Sequence, residues 1–280
     1  MPDSPRPAPA PTEQEVLDRF RARREQVVTS PRGSLALTNT QWVDSEQPIW
    51  GVPGIWAPRT DGGSGLTVTA GAADGIRVDG ALVDGTAVVR GSDDENPSEV
   101  RFSDTVQCTV IPQEGGASYA LRVWDAESDA IRDFGSIDAF PFNPEWIVTA
   151  AFTPNPEGTT FGFEHLKDGD ATREEVIPGS ITFTKNGVDY DLVAFQAGKA
   201  LQLVFADATS GETTYSVGRF LFIVPKPDGS ITLDFNQALL PPCAFSYAFN
   251  CPMPPKQNRF PVPIEAGEKN VLNTAGALLH

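Results

Sequence analysis

Between Tyr215 and Lys269 the sequence gathers the side chains best suited to chemistry. They are Tyr215, Arg219, Asp234, Asn236, Asn258, Arg259, Glu265, Glu268 and Lys269. An acid, an amide and a guanidinium at one rim can hold a polar ligand through charge-assisted hydrogen bonds. In Asp234-Phe235-Asn236 the outer two side chains share a face opposite Phe235 if the segment is extended. Arg219 opens a predicted strand, 219–224, and Asp234 closes its predicted partner, 230–235. A hairpin around Pro225-Lys226-Pro227-Asp228-Gly229 would bring the two ends together. Two readings stand. The cluster binds a small polar molecule, or a buried Arg219–Asp234 ion pair pins the C-terminal segment.

Other chemistries find less support. Cys243 and Cys251 are close enough in sequence to close a short disulfide loop, to sit as buried thiols, or to share a metal or redox role. A structural zinc site needs four ligands, and the chain has three cysteines and two histidines. No metal site is predicted. His165 lies in an acidic stretch and reads as a surface or turn residue, and His280 as a frayed end. There is no Gly-x-Ser-x-Gly elbow for a serine triad. No P-loop or Gly-x-Gly-x-x-Gly follows a strand, so no nucleotide or flavin motif is found and the cofactor is unknown. The three tryptophans Trp42, Trp50 and Trp56 read as core or seam residues, or else as the lining of a pocket.

The elements that position these residues are mainly β. With 25 Gly and 25 Pro in 280 residues, turns are frequent. Residues 1–11 are Pro- and Ala-rich and read as disordered. A helix follows within 12–33. Thr12 and Glu15 form a capping box, and Val16, Phe20 and Val27 make an apolar stripe beside Arg21, Arg23 and Arg24, so the helix should strap onto the body, the alternative being a partner-binding helix. A first antiparallel β unit, sandwich- or barrel-like, is expected over 34–125. Gly/Asp turns separate its short strands. A link to about residue 144 leads into a second β unit, 126–280. Its clearest signal is Asn186-Gly187 between two alternating runs, a type I′ hairpin. No helix is expected after residue 33. Seven prolines between 241 and 263 forbid a helix or a central strand there. Phe245, Tyr247, Phe249 and Phe260 demand burial, so the segment reads as an ordered, irregular ribbon closing the second unit. Asn236, Asn250, Gln257 and Asn258 are expected to satisfy its backbone.

The formal charge is −16, and between residues 34 and 218 ten bases face 28 acids. Such a surface repels phosphate backbones, so nucleic acid is not an expected partner. No apolar run spans a bilayer, so neither is a membrane. The first residues lack the apolar core of a signal peptide, and the expected location is cytoplasmic.

Several runs carry a resemblance. They are Thr214-Tyr215-Ser216-Val217-Gly218-Arg219-Phe220-Leu221, Leu233-Asp234-Phe235-Asn236, Pro241-Pro242-Cys243-Ala244-Phe245, Cys251-Pro252-Met253-Pro254-Pro255, Asn258-Arg259 and Ala266-Gly267-Glu268-Lys269. Gln41-Trp42, Leu121–Asp125 and Phe140–Trp146 add to them. Together they resemble the bacterial domain of unknown function 1684 family over about residues 20–270. The resemblance implies a shared structure and a shared site, and supplies no reaction. The leading expectation is a small polar molecule bound between the second β unit and the ribbon, with any reaction left open. The alternative is an interaction or scaffold module whose C-terminal motif is purely structural, with an exposed apolar patch near the tryptophans.

Overall fold

The structure, a computed structural model, describes residues 11–113 and 118–279. The segment expected to be disordered lies, apart from Pro11, outside the described residues, as does His280. The first helix, α1, spans Glu13–Val28. Its capping box forms as the sequence requires: Glu15 N–H donates to Thr12 Oγ1 at 3.2 Å and Thr12 N–H to Glu15 Oε2 at 2.7 Å. The buried face is not the expected one. Leu17 and Val28 are buried, while Val16 and Val27 are exposed. Leu17, Arg21, Arg24 and Val28 recur at helical spacing, so the face that docks carries two arginines.

Ten strands follow: β1 (Leu37–Val43), β2 (Gln47–Pro48), β3 (Ile55–Pro58), β4 (Leu66–Ala70), β5 (Arg77–Val78), β6 (Ala81–Leu82), β7 (Gly85–Val89), β8 (Val100–Arg101), β9 (Val106–Pro112) and β10 (Tyr119–Asp125). They pair only with one another, in a six-stranded sheet ordered β1-β10-β9-β8-β5-β6 and a four-stranded sheet ordered β2-β3-β4-β7. Leu66, Val68, Val100, Cys108 and Leu121 pack between them around a fully buried Trp56. Trp50 is 70% exposed and Trp42 38%, so only one of the three tryptophans serves that core.

The expected link is structured. Asp129–Asp133 forms a one-turn helix, α2, capped by the Ser128 hydroxyl. It is followed by β11 (Phe134–Ala139). The chain continues through β12 (Ile147–Pro154), β13 (Thr160–Glu164), β14 (Thr172–Val176), β15 (Gly179–Lys185), β16 (Val188–Val193), β17 (Phe195–Ala197), β18 (Ala200–Phe205), β19 (Arg219–Ile223), β20 (Ser230–Asp234) and β21 (Glu268–Asn273). The sheets are ordered β16-β15-β12-β20 and β17-β18-β19, with two-stranded β13-β14 and β11-β21 beside them. The Asn186-Gly187 turn has positive φ at both residues, as a type I′ hairpin requires. Ile181, Leu203, Leu233, Phe235 and Phe260 are the centre of the second core. The architecture is thus mainly β, with one longer N-terminal helix and several antiparallel sheets.

The hairpin expected from Arg219 to Phe235 does not form. Its strands go to different sheets: β19 pairs with β18 and β20 with β12. The turn itself is in place, with Lys226 N–H donating to the Ser230 carbonyl at 2.8 Å. That register would set Phe220 opposite Asn236. Instead Phe220 exchanges two 2.8 Å backbone hydrogen bonds with Leu239. The three extra residues are taken up as a 3-10 turn, Phe235–Gln237, and the strands splay between their joined ends.

His165 is a second correction. It is buried and bridges to Pro252 of the ribbon, with Nδ1 3.2 Å from the Phe163 carbonyl. The ribbon is irregular, as its prolines require, and Phe245 and Phe260 are buried. Tyr247 is exposed and Phe249 half-buried. Phe249 meets Trp124 edge to face at 6.2 Å, and Ser246 Oγ donates to the Leu37 carbonyl. The ribbon therefore joins the outer face of the first sheet to the second set of strands.

Candidate functional site

Two features compete for the residues nominated above: a buried polar clasp and an open apolar groove.

The clasp begins at Gly218, whose φ of +101° belongs to the left-handed region. A Cβ there would lie 2.3 Å from the Phe205 carbonyl oxygen, so only glycine admits this approach. The turn delivers Arg219 into the interior, fully buried. Its guanidinium donates to the carbonyls of Ile264 (2.9 Å), Ala266 and Glu268 (3.3 Å). Its carboxylate partner is Asp207 at 3.3 Å, not Asp234. Asp207 in turn accepts from Ile264 N–H, the Thr209 hydroxyl and the Ser210 hydroxyl. Burial lowers the Arg219 pKa against the pull of Asp207. Phe205 lies under the guanidinium at 5.1 Å.

Glu268 extends the same network. It follows Gly267, whose φ is +82° and where a Cβ would strike Ala238. Its carboxylate takes Leu240 N–H at 2.6 Å and Arg24 Nε at 3.1 Å. Arg24 also donates to the Leu240 carbonyl, and Arg21 to the Phe140 carbonyl. Burial raises the Glu268 pKa, with Arg24 opposing. The buried Arg219, the half-buried Arg24 and two buried carboxylates thus tie α1, β19, the 207–210 turn and residues 264–268 into one knot.

Asn258 is a second pin. Its amide donates to the carbonyls of Val193 and Val204, both at 2.8 Å, and accepts from Val193 N–H at 3.0 Å. All three of these bonds hold backbone at strand ends, so the amide has little left for a ligand. Tyr215 donates its hydroxyl to the Cys243 carbonyl, and Lys269 pairs with Asp138 at 2.8 Å. Arg259 and Glu265 are exposed and stand outside the network. The expected amide donors act in the reverse sense. Asn250 and Asn258 are on the ribbon and satisfy the neighbouring strands and loops, while Asn236 holds the N–H and carbonyl of Asn143.

Cys243 and Cys251 are buried free thiols, as is Cys108. Cys243 N–H reaches Cys251 Sγ at 3.3 Å. Hydrogen bonding with Cys251 lowers the Cys243 pKa, and Cys251 is correspondingly raised. Among the described residues no group of three or more His, Cys, Asp or Glu gathers where a metal could bind.

The groove lies elsewhere, between α1 and the splayed strands β19 and β20. Its volume is about 470 Å3. Val16 and Phe20 line it from the helix, Phe222 and Val224 from β19 and its end, and Phe142 and Ile147 from the far side. Asp234, Asn236 and Gln237 add polar groups to its lining. Of the nine nominated residues, this groove brings together Asp234 and Asn236 only. The Asp234 carboxylate accepts from Asn236 N–H at 3.1 Å, Asn236 Nδ2 at 2.9 Å and Gln237 Nε2 at 2.7 Å. Tyr215 lines a different cavity of about 410 Å3, against Ala244 and Tyr247 of the ribbon.

Sequence reasoning missed Asp207, the part Arg24 plays in the clasp, and the strand side of the groove. A signal for Asp207 existed: Asp207-Ala208-Thr209-Ser210-Gly211 has the composition of a side-chain-capped turn. No comparable signal marks Phe222 or Val224, because an outward apolar residue on a strand is ordinary.

Comparison with known proteins gives a family and no activity. No curated protein matches the chain. A solution NMR structure of an uncharacterized protein from Haloarcula marismortui is similar, with 32% identity over 49% of this chain and 77% of that one, at a TM-score of 0.40. The model of the family described as "Protein of unknown function (DUF1684)" matches residues 132–269, a narrower span than the resemblance implied. That match runs from α2 through the clasp, Asn258 and Glu268, and the chain belongs to the DUF1684 family.

Proposed function

We propose that this chain is a binding protein whose ligand seats in the groove between α1 and strands β19 and β20. The ligand has an apolar body and a polar or cationic end that meets Asp234. One observation carries this reading. Val16 is 49% exposed, Phe222 48% and Val224 62%, and all three face one concave space. Exposed apolar side chains scattered singly need no explanation; several converging on one groove do. The clasp supports the same reading from the other side. Arg219, Asn258 and Glu268 are buried and engaged with backbone, which suits a structural motif better than a polar pocket. We also propose that 34–125 and 126–280 fold as two units around separate cores.

The test uses the neutral solvatochromic dye Nile red. The wild-type protein is expected to bind one dye with a blue-shifted emission. The double variant Val16→Asp, Phe222→Ser should lose most of that binding while its urea midpoint stays nearly unchanged. Equal dye binding in both proteins would place the apolar site elsewhere.

A further inference from the structure

The groove has more than apolar walls, because two strand edges open into it. Antiparallel pairs alternate between residues that exchange backbone hydrogen bonds with the neighbour and residues that do not. In β19, Phe220 directs its N–H and carbonyl away from β18, to Leu239. Two residues on, Phe222 must direct its own N–H and carbonyl the same way, into the groove. In β20, Ser230 turns its carbonyl to Lys226, away from β12, so Thr232 also points its backbone away from β12. The register set by the Lys226–Ser230 turn would let these two strands pair, yet they make no ladder with each other. The three-residue slip at Phe235–Gln237 holds them apart. Open, unpaired strand edges are templates for another extended chain.

Charge narrows the occupant. Among the described residues, the groove lining holds two carboxylates, Glu13 and Asp234, and no lysine or arginine. Among the described residues, the carboxylate of Asp234 is hydrogen-bonded by neutral N–H groups alone. The acid excess of the chain gathers in residues 34–218, so these two local carboxylates set the preference of the groove. A cation is therefore favoured beside Glu13 and Asp234.

Resting on the groove being the binding site, we propose that its ligand is an extended basic peptide segment of a partner protein. The segment adds as a strand to the free edges at Phe222 and Thr232. Its alternate apolar side chains lie on Phe222 and Val16, and its basic side chains reach Asp234 and Glu13. Main-chain hydrogen bonds supply affinity, and the alternation of side chains supplies selectivity.

The experiment uses the full chain and an array of ten-residue peptides in which Lys or Arg alternates with Val, Ile or Thr. A matched array with Glu in place of the basic residues is the control. Basic peptides should bind at least tenfold more tightly than acidic ones, and raised salt should weaken them. N-methylation at alternate backbone positions should cost tenfold or more, while the intervening positions tolerate it. Thr232→Pro removes one free donor on the side away from β12, and should weaken the best peptide tenfold while Nile red still binds. By NMR hydrogen exchange, the amides of Phe222 and Thr232 should exchange rapidly in the free protein and at least tenfold more slowly with peptide.

Three results would overturn the proposal. Amides of Phe222 and Thr232 already protected in the monomeric free protein would mean that the seam is closed. Indifference to N-methylation would mean that no strand is added. A dimer that Thr232→Pro dissolves would seat a second copy in the seam instead. If Nile red binds and no basic peptide outdoes its acidic control, the peptide is wrong and the groove stands. If neither binds, the groove reading fails with it.

Discussion

Arg219 shows what a buried guanidinium does when it is aimed at backbone. Removing it leaves the Asp207 carboxylate buried beside Thr209 with no cation, and three carbonyls without their donor. Breaking such a pair costs about 3–5 kcal/mol. Arg219→Met should therefore lower stability by about that amount in urea unfolding, and a loss under 1 kcal/mol would contradict the clasp. Asn258→Ala strands an N–H and two carbonyls at the ends of β16 and β18, each worth roughly 1–3 kcal/mol when left unpaired. Glu268 gives a pH signature. Burial raises its folded pKa above the unfolded value. Its contribution is thus fullest below the ordinary glutamate range and is lost as pH rises through the raised value. The stability difference between wild type and Glu268→Gln should fall as pH rises from 4 towards neutrality, and parallel stability curves would show that the carboxyl is not perturbed. Burial likewise raises the thiol of Cys108, while Cys243 is lowered by its bond with Cys251. Slow alkylation of the native protein should label Cys243 before Cys108, as read by peptide mass.

Among the elements, α1 is the most instructive. Its start was legible because a capping box is a local pattern: Thr12 and Glu15 suffice. Its buried face was not. The apolar stripe through Val16 and Val27 is displaced by one residue from the docked stripe through Leu17 and Val28. What decides between them is Arg24, whose partners Glu268 and Leu240 are far off in sequence. Arg24→Ala should loosen the helix without unfolding the sheets. Trypsin should then cut at Arg19 or Arg23 several-fold faster than in wild type, with the rest of the chain intact. An unchanged cleavage rate would show that the helix is held by Leu17 and Val28 alone. The strands teach the same lesson. Asn186-Gly187 fixes its hairpin within a few residues, and the prolines of 241–263 rule out regular structure by themselves. The β19–β20 hairpin had an equally good local turn, yet Leu239 took the edge of β19 at Phe220 and the strands stay apart beyond the turn. Competition for a strand edge is a non-local matter that no window of sequence contains.

At the scale of the molecule, the nominated residues divide among the clasp, the groove, the Tyr215 cavity and the surface. Arg219, Asn258 and Glu268 were marked by type and density, and the structure gathers two of them into one knot with the third pinning strands nearby. Density of polar groups in a Pro-rich segment signals unmet backbone as readily as a ligand, since prolines remove the donors of a regular ladder. Of the apolar groove only the helix wall, Val16 and Phe20, stood out in the sequence, because the other walls come from separate elements. If residues 34–125 and 126–280 fold as two units, native-state hydrogen exchange should sort the amides around Trp56 and those around Phe235 into two groups with different opening free energies. One common value would join them into a single unit.

The most direct test sets two variants side by side, Asn258→Ala and Phe222→Ser, and measures the urea midpoint and Nile red binding of each. The account predicts a crossing: Asn258→Ala loses stability and keeps the dye site, while Phe222→Ser keeps stability and loses it. An Asn258→Ala protein with an unchanged midpoint and no binding would put the ligand at the ribbon and contradict the account.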